Sequence, residues 1–250
     1  MQGEQVTWVV GASSGIGAAL VDRLVERGHR VVISARRAER LEARAADSPG
    51  QVLPLPVDVT DLASMRAAVA HIEREWGPVG VAVLNAGDYR PMELADFDPE
   101  AFARLMMVNF QGVVHGLDAL RVPMLTRGRG QILVMGSVAG YRGLPYAAPY
   151  GASKAALINM TESLAPEFAR GGVRLRIVNP GFVRTALTAQ NDFEMPGLIE
   201  PAEAAAAIVR ALDRPGFEIR TPRLFTWFMR RITRLPYALW FPLARRMLRE

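Results

Sequence analysis

The sequence contains no cysteine, which excludes a disulfide framework, a thiolate metal site and a cysteine nucleophile. Lysine is almost absent as well, because Lys154 is the only lysine among the 30 Lys and Arg residues. All three histidines, His29, His71 and His115, fall in the first half of the chain. No run of about 18 uninterrupted apolar residues occurs, so the sequence predicts no membrane-spanning helix.

The first residues lack the pattern of a secretory leader. Residues 1–5 are polar and precede an apolar run at once, without the basic and then apolar segments of a signal peptide. We therefore expect a cytoplasmic protein, and we expect no metal site. At 250 residues with 50% hydrophobic content, the chain is long enough for one sizeable α/β domain.

Short apolar runs alternate with amphipathic helical segments along most of the chain. The predicted buried strands are Val6–Val10, Val31–Ile33, Val52–Val57, Val79–Leu84, Gln131–Met135 and Val173–Val178. This alternation predicts an α/β fold, a doubly wound Rossmann-type parallel sheet with helices on both faces. We place this single domain at residues 1–216, with a lid at about 184–200 that lacks clear periodicity, and a helical C-terminal tail at 217–250.

A glycine-rich segment, Gly11-Ala12-Ser13-Ser14-Gly15-Ile16-Gly17, follows the first predicted strand and precedes a helix. Backbone amides in such a turn can approach a pyrophosphate, whose charge the helix N-terminus favours. A tight structural turn is the other interpretation. The segment also matches the G-x-S-x-G pattern of a hydrolase nucleophile, but that mechanism needs a later histidine and the chain has none there.

The end of the second predicted strand, Ser34-Ala35-Arg36-Arg37, bears on the choice of cofactor. Folds that prefer NAD place an acidic residue near this point for the ribose hydroxyls, whereas arginine accommodates the 2′-phosphate of NADP. Ala35 stands where the acid is expected, and Arg36 follows. The segment predicts NADP in preference to NAD, with a solvated arginine pair at a helix start as the alternative.

Tyr150 and Lys154 are four residues apart in a segment that is predicted to open a helix, so both would lie on one helix face. An ammonium at ~5 Å, with an effective dielectric of ~20, would lower the pKa of a phenol by about two units. Ser137 follows the predicted strand Gln131–Met135 and offers a second hydroxyl to the same substrate oxygen. These residues predict proton transfer near neutral pH, and a solvated helix face is the alternative.

As an ordered set, these segments resemble the short-chain dehydrogenase/reductase family from about Val6 to about Leu212. The matching residues are Gly11-x-x-x-Gly15-Ile16-Gly17, Asp58, Asn85-Ala86-Gly87, Asn109, Ser137, Tyr150-x-x-x-Lys154 and Pro180-Gly181 with Thr185. The resemblance implies an NADP-dependent oxidoreductase that moves a hydride between the nicotinamide and a secondary alcohol or carbonyl. Catalytically silent NADP-binding regulators and membrane-surface scaffolds are the alternative functions.

The resemblance also implies a role for each matching residue. Tyr150 is expected to be the general acid/base, and Lys154 to lower its pKa and hold the nicotinamide ribose. Ser137 is expected to anchor the substrate oxygen and Asn109 to hold a relay water, although Asn109 taken alone is more readily interpreted as a satisfied core residue. The expected cofactor-binding residues, besides Tyr150 and Lys154, are Gly11, Ser13, Ser14, Gly15, Ile16, Gly17, Arg36, Arg37, Asp58, Val59, Asn85, Ala86, Gly87, Pro180, Gly181, Val183 and Thr185.

The expected partners are a small-molecule substrate and a second copy of the chain. The predicted lid is mostly apolar, as in Phe182, Leu187, Phe193, Met195, Leu198 and Ile199. These residues indicate a bulky, hydrophobic substrate, and ordinary packing is the alternative. The resemblance implies a homo-oligomer in which the helix after Tyr150 packs against its copy. Pro166 departs from that pattern, since a proline costs about 3 kcal/mol in a helix interior and tends to kink it.

Positive charge is concentrated in the tail. Residues 217–250 hold eight Arg and two Glu, a net charge of +6, which leaves −1 for residues 1–216 and argues against a nucleic-acid-binding core. Leu224–Ile232 and Tyr237–Phe241 interleave aromatic side chains with arginines and predict an interfacial helix pair broken at Pro236. The pair either covers the substrate cleft and leans on a membrane, or packs on the body or a second subunit.

Overall fold

The computed structural model describes residues 6–248; residues 1–5, on which the leader expectation rests, and the last two residues of the predicted tail lie outside it. Seven parallel strands form one sheet in the order β3-β2-β1-β4-β5-β6-β7. The strands are β1 Val6–Val10, β2 Arg30–Ser34, β3 Val52–Pro54, β4 Val79–Leu84, β5 Gly130–Met135, β6 Val173–Pro180 and β7 Glu218–Thr221. The predicted doubly wound sheet is therefore confirmed.

Helices cover both faces of the sheet. They are α1 Gly15–Glu26, α2 Ala38–Ala46, α3 Leu62–Glu75, α4 Pro99–Leu105, α5 Gly112–Arg127, α6 Ala148–Arg170, α7 Pro201–Leu212, α8 Arg223–Ile232 and α9 Tyr237–Arg245. Alternate strand residues point to opposite faces, so Trp8 and Val10 join α3, α5 and α6 in one core, while Val9 joins α1 and α7 in the other. None of the helices within residues 6–248 is long and apolar enough to cross a membrane.

The seventh strand corrects the predicted start of the tail at residue 217. Residues Glu218–Thr221 pair with Ile177–Pro180 of β6 and belong to the sheet. The strand was missed because it is only four residues long and carries charged side chains at alternate positions. The helical part of the tail begins at Arg223, and its break falls at Pro236 as predicted.

Two helices differ from their predicted form. The helix predicted over residues 101–126 is interrupted by a π-helical segment at Met106–Gln111, which contains Asn109. Helix α6 passes through Pro166 and continues to Arg170. Because the proline lies near the C-terminal end of α6, its missing N–H affects the final turns of the helix rather than the half that carries Tyr150. The predicted homo-oligomer stays a prediction.

Candidate active site

A cavity of about 870 Å³ opens at the carboxyl ends of β1, β4, β5 and β6, where doubly wound sheets bind their ligands. Ser137, Tyr150, Lys154 and all of the predicted cofactor-binding residues except Gly17 line this cavity. One end, here called the glycine-rich end, is formed by residues 11–16. The other, here called the aromatic end, is formed by Phe182, Phe193, Phe225 and Met229.

The glycine-rich end depends on backbone atoms that approach one another closely. A Cβ atom added to Gly17 would lie 2.1 Å from the carbonyl oxygen of Gly11, so only glycine fits there. Gly11 has a φ of +83°, and its carbonyl accepts a hydrogen bond of 3.0 Å from Asn85 Nδ2. Ser14 caps α1 without a side-chain hydrogen bond, and the first turn of α1 holds no acidic residue. The first amides of α1 can therefore bind an anion.

Arg36 and Arg37 line the cavity near Asp58, and both are exposed. The described residues form no ion pair with either arginine, which leaves both guanidinium groups able to bind a ligand phosphate. A backbone hydrogen bond from Thr60, assisted by its hydroxyl and by the charge of Arg36, holds the pKa of Asp58 below its usual value. Asp58 is thus an ionised acceptor at neutral pH.

Tyr150, Lys154 and Ser137 come together near the middle of the cavity. Tyr150 and Lys154 lie in the first two turns of α6, and Lys154 Nζ is 5.6 Å from the centre of the Tyr150 ring. The ammonium donates a 2.7 Å hydrogen bond to the carbonyl oxygen of Met135 at the end of β5. Ser137 caps a short 3₁₀ turn after β5, and its hydroxyl lies on the side of the cavity where it lowers the pKa of Tyr150.

The expected effect of Lys154 on Tyr150 is wrong for the protein without a ligand. Burial raises the pKa of Tyr150 to about 12, and the hydrogen bond from Ser137 only partly opposes this rise. Burial also lowers the pKa of Lys154 to about 8. The expected shift follows from an effective dielectric of ~20 and leaves out the cost of removing these groups from water, which disfavours each charged form.

Asn109 is fully buried, and both the oxygen and the nitrogen of its side-chain amide form hydrogen bonds. Its Oδ1 accepts a 2.7 Å hydrogen bond from the backbone N–H of Asp88, and its Nδ2 donates to Asp88 O at 2.9 Å and to Ser153 Oγ at 3.0 Å. Ser153 Oγ in turn donates to the carbonyl of Tyr150 at 2.7 Å. Asn109 therefore joins α6 to the loop after β4, and its role in holding a water stays a prediction.

Sequence reasoning missed several side chains of the cavity. Tyr89 meets the edge of the Tyr150 ring at a centroid distance of 4.9 Å and donates a 2.7 Å hydrogen bond to Asn191 Oδ1 in the predicted lid. Phe225 and Met229 reach the cavity from α8, and Phe225 lies 5.6 Å from Phe182. The only sequence signal for Tyr89 is its position two residues after Gly87. Phe225 and Met229 were predicted only as part of Leu224–Ile232, for which covering the cleft was one of two interpretations.

Comparisons with known proteins identify the family of the chain. The sequence profile of the family described as short chain dehydrogenase matches residues 5–195. The chain belongs to the short-chain dehydrogenase/reductase family. It is accordingly an NAD(P)-dependent oxidoreductase, and the predicted enzyme class is confirmed.

Three of its relatives illustrate the range of the match. An uncharacterised oxidoreductase of Myxococcus xanthus is 33% identical over 242 residues, which cover 96% of each chain. A short-chain dehydrogenase from Burkholderia cenocepacia in complex with NADP is 30% identical, with a TM-score of 0.84 over 97% of this chain and 99% of that one. A short-chain dehydrogenase/reductase from Burkholderia phymatum in complex with NAD shares the fold, with a TM-score of 0.83, 22% identity and coverage of 92% and 94%.

Proposed function

We propose that this protein is an NADP-dependent oxidoreductase that interconverts a bulky, apolar carbonyl compound and the corresponding secondary alcohol. The observation that carries the proposal is the position of the Tyr150 hydroxyl. It lies in one continuous cavity with two unpaired arginines, Arg36 and Arg37, at the glycine-rich side and with large apolar side chains at the aromatic end. When bound, NADP supplies or accepts the hydride.

The residues of the glycine-rich end fit a dinucleotide. A Cβ added to Gly17 would meet Gly11, and a Cβ built on Gly11 would lie 2.6 Å from Ala86 N. The turn therefore leaves room for a ligand only because both residues lack a side chain. The uncapped amides of α1 would hold a diphosphate, and the ionised Asp58 would accept hydrogen bonds near the adenine. Lys154 is 4% exposed and faces the loop of Asn85, Ala86 and Gly87, where a ribose would lie between them.

Tyr150 is suited to donate a proton when the substrate is a carbonyl. With its pKa raised to about 12, the phenol is neutral at pH 7 and carries the proton that a newly formed alkoxide needs. Ser137 can donate a second hydrogen bond to the same oxygen. The ammonium of Lys154 favours the phenolate that remains, so the two groups together limit the cost of the proton transfer. Oxidation of the alcohol uses the same groups in the opposite direction.

Arg36 supports a preference for NADP over NAD. Ala35 places no carboxylate where a 2′-phosphate would lie, and Arg36 is exposed at the cavity wall without an acidic partner among the residues described. A phosphate–arginine contact that is partly buried contributes about 1.5–3 kcal/mol. The relative from Burkholderia cenocepacia that binds NADP is similar over almost the whole chain.

A catalytically silent, NADP-binding regulator is not favoured. Such a protein needs only the glycine-rich end, whereas this chain also brings Ser137, Tyr150 and Lys154 together in the cavity, with Lys154 Nζ 5.6 Å from the centre of the Tyr150 ring.

The proposal is tested by NADPH consumption with a panel of ketones and aldehydes that range from short and polar to aromatic and long-chain. We expect turnover with the bulky apolar members and a dissociation constant for NADPH about tenfold or more below that for NADH. Arg36→Ala should remove this preference, and Arg40→Ala, an exposed arginine of α2 outside the cavity, should leave it unchanged. Equal affinities for the two cofactors in the parent protein would refute the NADP assignment.

A further inference from the structure

Helix α8 presents two different faces. Its inner face places Phe225 and Met229 in the cavity wall, and Met229 is buried. Its outer face carries Leu224, Trp227 and Phe228, whose exposed fractions are 81%, 48% and 52%. These three residues are spaced three and four apart, so they form one apolar strip along the outside of the helix.

Helix α9 repeats the arrangement. Trp240 and Ala244 are buried against the body, whereas Tyr237, Leu239 and Phe241 are more than half exposed. The rings of Tyr237 and Phe241 stack on each other at 5.5 Å. The two short helices thus expose six large apolar side chains, a set that soluble surfaces seldom leave in contact with water without a partner.

Arginines surround these side chains, and acidic residues are absent from 219–248. Glu218 pairs with Arg220 and Arg230, and Arg231 stacks on the ring of Trp227 at 5.1 Å. The ion pairs among the described residues include none to four other exposed arginines of the segment, which are Arg223, Arg234, Arg245 and Arg246. The outer surface therefore carries positive charge that nothing described in the chain neutralises.

The helix pair is fixed to the body. The Arg142 guanidinium donates to the carbonyl of Thr233 at 2.8 Å and also to that of Leu235, at the corner between α8 and α9. The same group lies over the rings of Tyr237 and Trp240 at 4.5 and 4.9 Å. Arg142 follows the 3₁₀ turn that Ser137 begins, so the corner is tied to the loop that carries a catalytic hydroxyl.

We propose that the outer faces of α8 and α9, together called the basic aromatic face, bind an anionic lipid surface. Aromatic and aliphatic side chains enter the headgroup region, while unpaired arginines on the same helices attract anionic headgroups. A second copy of the chain fits this face less well. A symmetric dimer would bring two arginine-rich, acid-free surfaces together, and like charges at an interface oppose association.

The position of this face gives the lipid contact a function, and this step rests on the proposed function. Since α8 separates the cavity from the basic aromatic face, a lipid surface on one side of the helix lies next to the aromatic end on the other. An apolar carbonyl compound dissolved in the bilayer would then reach the cavity around α8 without crossing water. Vesicle binding itself requires neither NADP nor turnover, so the two proposals can fail separately.

The test is flotation of the full-length protein with two kinds of vesicle. One contains equal parts of phosphatidylglycerol and phosphatidylcholine, and the other contains phosphatidylcholine alone. We expect binding to the anionic vesicles at low salt and a marked loss at high salt, because exposed charges are screened. Failure to bind anionic vesicles at low salt would overturn the proposal.

Two pairs of variants, one that changes arginines and one that changes apolar residues, test which part of the protein contacts the vesicle. Replacing the four unpaired arginines of the segment by Gln should weaken binding by more than a hundredfold, since each basic residue near an anionic surface contributes about fivefold. The same change of four exposed arginines of the body, Arg40, Arg129, Arg170 and Arg210, should have little effect. Equal losses in the two variants would show only general electrostatic attraction and would overturn the assignment to this face.

The apolar strip is tested by Trp227→Ser with Phe228→Ser, against Val122→Ser, an exposed apolar residue of α5. The double variant should bind vesicles at least tenfold more weakly and keep its activity on a water-soluble substrate, which also shows that it folds. Val122→Ser should bind like the parent protein. If sedimentation equilibrium shows instead that the double variant lowers the mass of an oligomer and vesicle binding is unchanged, the face belongs to a second copy.

Discussion

The glycine-rich end and the aromatic end of the cavity use different parts of the chain to surround a ligand. The glycine-rich end is made of backbone, and a single added methyl group at Gly17 or Gly11 would collide with main-chain atoms. The aromatic end is made of large side chains from the lid and from α8, such as Phe182, Phe193 and Phe225, which pack on one another at 5.6–5.8 Å. One end therefore tolerates almost no change of residue, whereas the other can be reshaped by substitution.

The largest expected effect is at the glycine-rich end. In Gly17→Ala the new Cβ would lie 2.1 Å from Gly11 O and 2.7 Å from Asn85 Nδ2, so the turn cannot keep its form. We expect NADPH to bind more than about a hundredfold more weakly, as measured by fluorescence titration. Gly143→Ala is the matched control, because its Cβ meets no atom within 4 Å and the residue lies outside the cavity. Parent-like affinity in Gly17→Ala would show that close backbone approach does not shape this end.

The next effect concerns the middle of the cavity, where the two ends meet. Lys154→Arg keeps the positive charge but places a larger, planar group in a site that is 4% exposed. We expect kcat to fall by about ten- to a hundredfold, with a smaller change in NADPH affinity. The measurement is steady-state NADPH oxidation together with cofactor titration. If Lys154→Arg kept most of the parent's kcat, the need for a compact ammonium would be disproved.

A milder effect is expected at the aromatic end. Phe225→Ala removes a ring that lies 5.6 Å from Phe182 and widens the cavity, so KM for a bulky substrate should change severalfold while NADPH affinity stays the same. Phe228→Ala is the control, because Phe228 lies one turn away on the outer face of α8 and is 52% exposed. Equal changes of KM in both variants would indicate that α8 acts through its general stability.

The smallest effect is on stability. Lys154→Met removes a buried ammonium and should raise the free energy of unfolding of the cofactor-free protein by about 3 kcal/mol near pH 7. Between the folded pKa of about 8 and the unfolded value of ~10.4, the unfolded chain holds more protons, so the parent protein gains stability as pH rises. The difference between the two proteins should therefore shrink by about pH 9.5. Urea unfolding of the parent and of Lys154→Met near pH 7 and at about pH 9.5 measures this difference in unfolding free energy. A difference that grows as pH rises would contradict the expected direction.

The same contrast explains what could be predicted from the sequence. Backbone approach requires glycine at fixed spacing, so Gly11, Gly15 and Gly17 were recognisable, and the pair Tyr150 and Lys154 was recognisable from its helical spacing. The aromatic end requires only large apolar residues, which every core contains. The pattern of Leu224–Ile232 therefore left covering of the cleft and ordinary packing both open, and it did not single out Phe225 or Met229. Strand β7 has too few residues to show a period, and its pairing with β6 is a tertiary property.

Electrostatics could not be predicted because they depend on burial. The spacing of Tyr150 and Lys154 predicted that the two side chains lie close together, and Lys154 Nζ is 5.6 Å from the centre of the Tyr150 ring. The spacing could not predict how far the surrounding fold removes each group from water. Burial is the main cause that raises the pKa of Tyr150, Tyr89 adds to the rise, and Ser137 opposes it. Similarly, the hydrogen bond from Lys154 to Met135 O comes from the fold and not from any local pattern.

The most direct test of the central claim is to compare Tyr150→Phe with the parent protein in two assays, NADPH binding and turnover. Since only the transferable proton is lost, we predict an NADPH affinity within about twofold of the parent and a kcat reduced by about a thousandfold. Tyr89→Phe, which removes a phenol from the same cavity, should retain most of the activity. Turnover by Tyr150→Phe at the parent's rate would contradict the account.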